Sequence, residues 1–86
     1  MNKQRRKTLA EIATMIESLD ELRQEIAERL SEVIDEEQEA LDNMPESLQY
    51  SERGEQMQEY IDTMTEIMDE LENLDFIEYA DQLTEI

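Results

Sequence analysis

A chain of 86 residues forms one domain at most, and this one sets 25 Asp plus Glu against seven Lys plus Arg, a formal net charge of −18. It contains neither Cys nor His, which removes disulfides, the usual ligands of zinc and haem, and any Ser-His or Cys-His nucleophile. One Gly and one Pro are too few turn residues for an all-β chain, whereas Glu, Leu, Met and Ala favour helix.

The charge is unevenly spread. Lys3, Arg5, Arg6 and Lys7 open the chain, and no Lys or Arg follows Arg53. Residues 8–86 therefore hold three Arg against all 25 carboxylates, a net −22. Such a surface repels itself and points to a cationic partner or to a need for solubility. Residues 1–7 read as a basic flexible tail. The stretch TLAEIATMIESL fails as a signal-peptide core because Glu11 and Glu17 interrupt it. No segment approaches the ~20 apolar residues of a membrane span. A soluble, cytoplasmic chain without membrane contact is expected.

A first helix is expected over 8–42, with Thr8 as a candidate N-cap. Leu9, Ile12, Ile16, Leu19, Ile26, Leu30 and Val33 repeat at spacings of three and four, interrupted by Arg23 and Glu37. Ala13, Ala27, Ile34 and Leu41, with Met15 and Leu22, widen the stripe on its flanks. That breadth suits a bundle helix. Asn43-Met44-Pro45 ends the helix, Asn43 being suited to a left-handed cap. Residues 43–51 form a turn, in which Pro-Glu-Ser-Leu fits one helical turn.

A second helix is expected over 52–73, built on Met57, Tyr60, Ile61, Met64, Ile67, Met68 and Leu71. Asp75 with Glu78 reads as an N-cap and capping-box acid, opening a short third helix over 75–84. A single helix running through Asn73 is the alternative. The fold class is all-α: an antiparallel helical hairpin with a short third helix, dimerising into a helical bundle because one thin hairpin leaves much of each stripe wet. With the turn near Ser47–Leu48, Arg23 is expected to face Glu72, Arg29 to face Glu66, and Arg53 to face Asp42.

The chemistry lies in the carboxylates. Glu55, Glu59, Asp62, Glu66 and Asp69 step by four, three, four and three along the second helix. Glu28, Glu32, Asp35, Glu36 and Glu39 add to the field on the first. Successive acids rise by about 5–6 Å, a spacing comparable to that of adjacent phosphates on a nucleic-acid strand. A solvated helix face normally mixes signs, yet Glu25–Arg29 alone is an i,i+4 pair in the favourable order. Residues 69–81 look like a calcium loop but lack its glycine. No catalytic residue, metal site or cofactor is expected, since paired carboxylates need a pocket to separate their pKa values.

The centre, residues 35–64, resembles a pattern in short acidic helical proteins of phages and prophages of Gram-positive bacteria. There an Asp-Glu-Glu-Gln-Glu-Ala run leads into Asn-x-Pro-Glu-Ser-Leu-Gln, then Ser-Glu-Arg-Gly-Glu and an acidic helix. The match covers about a third of the chain and carries no assigned activity. It implies a phage-encoded, non-enzymatic protein in the cytoplasm of an infected bacterium. Small acidic phage proteins often inhibit host defence nucleases, some by imitating DNA. Two readings result. One is an inhibitor presenting the ten carboxylates as a DNA or RNA mimic to a basic nucleic-acid-binding protein, such as a defence nuclease or CRISPR effector, without binding nucleic acid itself. The other is an oligomeric helical adaptor that recruits a partner through apolar faces.

Overall fold

A computed structural model describes residues 1–86. It is all-helical, with 87% of residues in helix and no strand. In chain order α1 spans Lys3–Asp42, α2 Glu46–Gln49, α3 Glu52–Asn73 and α4 Phe76–Thr84.

Local chemistry sets these boundaries. Asn2 caps α1, its Oδ1 accepting from the Arg5 N–H at 2.8 Å, so the helix starts at Lys3 rather than at Thr8. Thr8 behaves as an interior residue: its hydroxyl donates to the Gln4 carbonyl at 3.1 Å. At the other end Asn43 keeps φ −83° and ψ −7°, not the left-handed cap expected, because the chain turns at Pro45 instead. Gln49 Nε2 donates to the carbonyls of Met44 at 3.0 Å and Asp42 at 3.3 Å, satisfying acceptors that the end of α1 leaves orphaned. Ser51 caps α3. Gly54 is buried in the first turn of α3, where a Cβ would stand 2.2 Å from the Gln49 carbonyl oxygen.

Both α3 and α4 pack against α1. Arg23 Nη1 of α1 donates to the Leu71 carbonyl near the end of α3, and Gln49 of α2 reaches the Asp42 carbonyl. The result is a rod of 69 × 14 × 13 Å. Its radius of gyration, 20.2 Å, far exceeds the ~12 Å of a compact chain of this length. No large side chain is fully buried.

The packing seam differs from the expected stripe. On α1 the row of Leu9, Ile16, Arg23 and Leu30 is sheltered as anticipated, but its companion row is Ala13, Asp20, Ala27, Ile34 and Leu41. Ile12, Leu19, Ile26 and Val33 stand exposed. The helix is rotated by one residue, and the reason is size. Ala13 and Ala80 are 2% and 1% exposed, the deepest side chains in the chain. Small residues let backbones approach closely, and bulky ones at the same height hold them apart. On α3 the seam is Gly54, Met57, Ile61, Met64, Met68 and Leu71.

The joint between α3 and α4 carries the one buried charge. Asp20 is 3% exposed. Its carboxylate accepts from Arg23 Nε at 2.9 Å and from Gln24 Nε2 at 2.8 Å. Arg23 Nη1 donates to the Leu71 carbonyl at 2.8 Å, an acceptor in the last turn of α3. The Arg23 hydrogen bond, then that of Gln24, hold the Asp20 carboxyl below its usual value against desolvation, with a smaller pull from the backbone N–H of Phe76. The same contact raises the Arg23 pKa. A cation at the end of α3 and an anion at the start of α4 suit the charge of each terminus. Asp75 completes the joint by accepting from the Glu78 N–H at 3.3 Å.

Candidate partner-binding face

All ten carboxylates singled out in the sequence are exposed, and none pairs with a cation. The chain's two ion pairs are Asp20–Arg23 and Glu25–Arg29, the latter at 3.9 Å between exposed side chains. Arg29 therefore pairs within its own helix and not with Glu66. Arg53 makes no ion pair with Asp42, lying instead in a groove lined by Glu52, Glu55 and Glu59. Arg23 meets the Leu71 carbonyl rather than the Glu72 carboxylate, one residue from the expected height. A backbone carbonyl at a helix end is fixed in place, whereas Glu72 has a long side chain to order.

Some of the acids line grooves along the rod. Gln24 and Ser31 of α1 line a groove with Glu72 of α3, flanked by Glu28 and Glu32. Gln38 lines a second with Gln58, flanked by Glu55. The polar residues Gln24, Ser31, Gln38, Gln58 and Glu72 each follow a seam position by one, so these rows face each other across the groove. The acids step along the outer ridges: Glu28, Glu32, Asp35 and Glu39 on α1, Glu55, Glu59, Asp62, Glu66 and Asp69 on α3. Because Arg23 sits beside Leu71 and Asp42 beside Gln49, both stretches run along the same length of rod. The α3 row alone extends about 21 Å. Among the ten, Asp62 alone accepts a side-chain hydrogen bond, from Gln58 Nε2 at 2.9 Å. Glu36 stands apart, sharing a seven-residue period with Met15, Leu22 and Arg29.

Chemically these ridges are dominated by carboxylate acceptors, with Arg53 beside Glu55 and Glu59 and the amides of Gln24, Gln38 and Gln58 in the grooves. No group of carboxylates converges on a metal-binding geometry, and the grooves are open. No helix is long and apolar enough to cross a membrane. Comparison with protein-family models, curated proteins and solved structures returns no match.

Sequence reasoning missed Asp20 and Gln24 as members of the buried network. One signal was present: Asp20 falls on the seven-residue series of Ala13, Ala27, Ile34 and Leu41, at the edge of the apolar stripe.

Proposed function

We propose that this chain is a non-enzymatic inhibitor that presents its carboxylate rows to a basic nucleic-acid-binding protein in place of DNA or RNA, in the cytoplasm of an infected bacterium. Its working unit is the antiparallel hairpin of α1 against α3 and α4, paired with a second copy. One observation supports the reading: ten exposed carboxylates, none of them in an ion pair, run along α1 and α3 in a chain with no basic residue beyond Arg53. A target that gathers phosphates with Lys and Arg gains the same release of counterions from these rows. The resemblance of residues 35–64 to acidic phage proteins supplies the setting.

The alternative, an adaptor that recruits a partner through apolar helix faces, draws on the side of α1 where Ile12, Leu19, Ile26 and Val33 are exposed. Salt separates the two. Immobilised protein is used to capture basic proteins from a bacterial lysate, and the bound fraction is washed from ~50 to ~200 mM salt and challenged with duplex DNA. A mimic releases its target steeply with salt, and DNA competes for it. The triple substitution Glu59→Lys, Asp62→Lys and Glu66→Lys is expected to abolish capture while leaving helix content by circular dichroism unchanged. Capture by the triple variant equal to that by the parent rules out mimicry.

A further inference from the structure

The bend between α3 and α4 changes which residues face α1. The seam of α3 ends at Met64, Met68 and Leu71. Carried on at spacings of four and three, it would next bring Asp75, Glu78, Gln82 and Glu85 against α1. The residues sheltered on α4 are instead Phe76, Ala80 and Leu83. Ala80 lies about two and a half turns beyond Leu71 in an unbroken helix and would point away from α1, yet it is 1% exposed. The break at Leu74–Asp75 rotates the chain so that an apolar face meets α1. Docking of α4 and the bend are therefore one event.

Nothing in the backbone forces this bend. Residues 55–86 contain neither Gly nor Pro, and no residue has a positive φ. Leu74 sits at φ −76°, ψ 132° and Asp75 at φ −124°, ψ 89°, conformations that either residue leaves for a helix without steric cost. The bend also leaves a helix hydrogen bond unmade. The Asp75 N–H has no backbone acceptor, whereas a continuous helix would give it the Leu71 carbonyl. Side chains of α1 take over at both cut ends. Arg23 Nη1 donates to that same Leu71 carbonyl at 2.8 Å, and the Phe76 N–H acts on the Asp20 carboxylate.

We infer that α4 is a strap that opens from α1 and closes on it, with Leu74–Asp75 as the hinge and Asp20 with Arg23 as the groups that hold it shut. In the closed form α1 binds the cut ends of α3 and α4, and Phe76, Ala80 and Leu83 are sheltered. In the open form Glu52 to Thr84 is one helix, the Leu71 carbonyl returns to the Asp75 N–H, and Ala80 comes into solvent. Both forms satisfy the same backbone groups, once through side chains of α1 and once within the helix. That leaves two packings of one sequence close in free energy. The inference is independent of the proposed inhibition, because it concerns one chain alone and is tested without a partner.

The chain has no Cys, so Glu11→Cys with Gln82→Cys places a pair of nitroxide labels on α1 and α4 alone. Pulsed electron resonance reads the distance between them, and amide hydrogen exchange on the full chain reads the N–H at position 75. The labelled parent is expected to give a short distance and rapid exchange at Asp75. Adding Asp20→Ala with Arg23→Ala is expected to lengthen the distance and to slow exchange at Asp75 by about tenfold or more, with helix content by circular dichroism no lower than that of the parent. Should that variant unfold, Leu74→Ala with Asp75→Ala decides. It leaves α1 untouched and raises helix propensity at the hinge, so the same two changes are expected. A short distance with rapid exchange at position 75 in the deciding variant overturns the inference. So does a long distance with rapid exchange there, since α4 would then have frayed instead of joining α3.

Discussion

Asp20 and Arg23 occupy seam positions where a helix pair ordinarily places aliphatic side chains. Each charge alone in that place is unfavourable, and together they satisfy one another and the end of α3. The Asp20 carboxyl is held below its usual value by Arg23 and Gln24, so its linkage has a definite sign. Its stabilising contribution is complete above the unfolded value of about 3.9 and is lost as pH falls through the lower folded value. Asp20→Asn is expected to melt at a lower temperature than the parent near pH 7, with the difference shrinking below about pH 4. Thermal unfolding at both ends of that range checks it; an unchanged gap contradicts the assignment. In the sequence Arg23 stood out as a charge inside an apolar stripe. Asp20 did not, because one carboxylate among 25 carries no mark of burial until the facing helix is in place.

The elements were more legible than their rotation. Pro45 and the Asp75–Glu78 pair act locally, and the helix ends lie beside them. Which side of α1 faces α3 is not a local property. Summed hydrophobicity favours Ile12, Leu19, Ile26 and Val33, yet the buried positions are Ala13, Ala27 and Ala80, whose small side chains let helices approach closely. The turn shows the same dependence on distance. Gly54→Ala in an ordinary helix gains up to about 1 kcal/mol from propensity. Here the added methyl meets the Gln49 and Leu48 carbonyl oxygens at 2.2 and 2.6 Å, and backbone atoms must shift. Overpacking of this kind costs about 1–3 kcal/mol, so the substitution is expected to destabilise by about 2 kcal/mol, read as a lower urea midpoint at unchanged slope. A midpoint equal to or above that of the parent contradicts the tight approach.

For the molecule as a whole, charge opposes compactness. Acids about 5–6 Å apart along a ridge lie inside the ~10 Å screening length at 0.1 M salt and outside the ~3 Å length at 1 M. The melting temperature is therefore expected to rise with sodium chloride across that range; a steady fall would show that attraction, not repulsion, dominates. The acid rows were readable because solvent-facing residues need no partner to be placed. The grooves between α1 and α3 emerge only when two helices lie side by side. The rod's cross-section of 14 × 13 Å has one more consequence. Each level along the axis touches only the levels next to it, as in a stack of repeats. Unravelling then proceeds like the opening of a zipper. It begins at the loose end, where Asn2 and Ile86 lie, and the Pro45–Gly54 turn closes the other. Between them Asp20 and Arg23 act as a bolt that must be drawn before the long remainder can part.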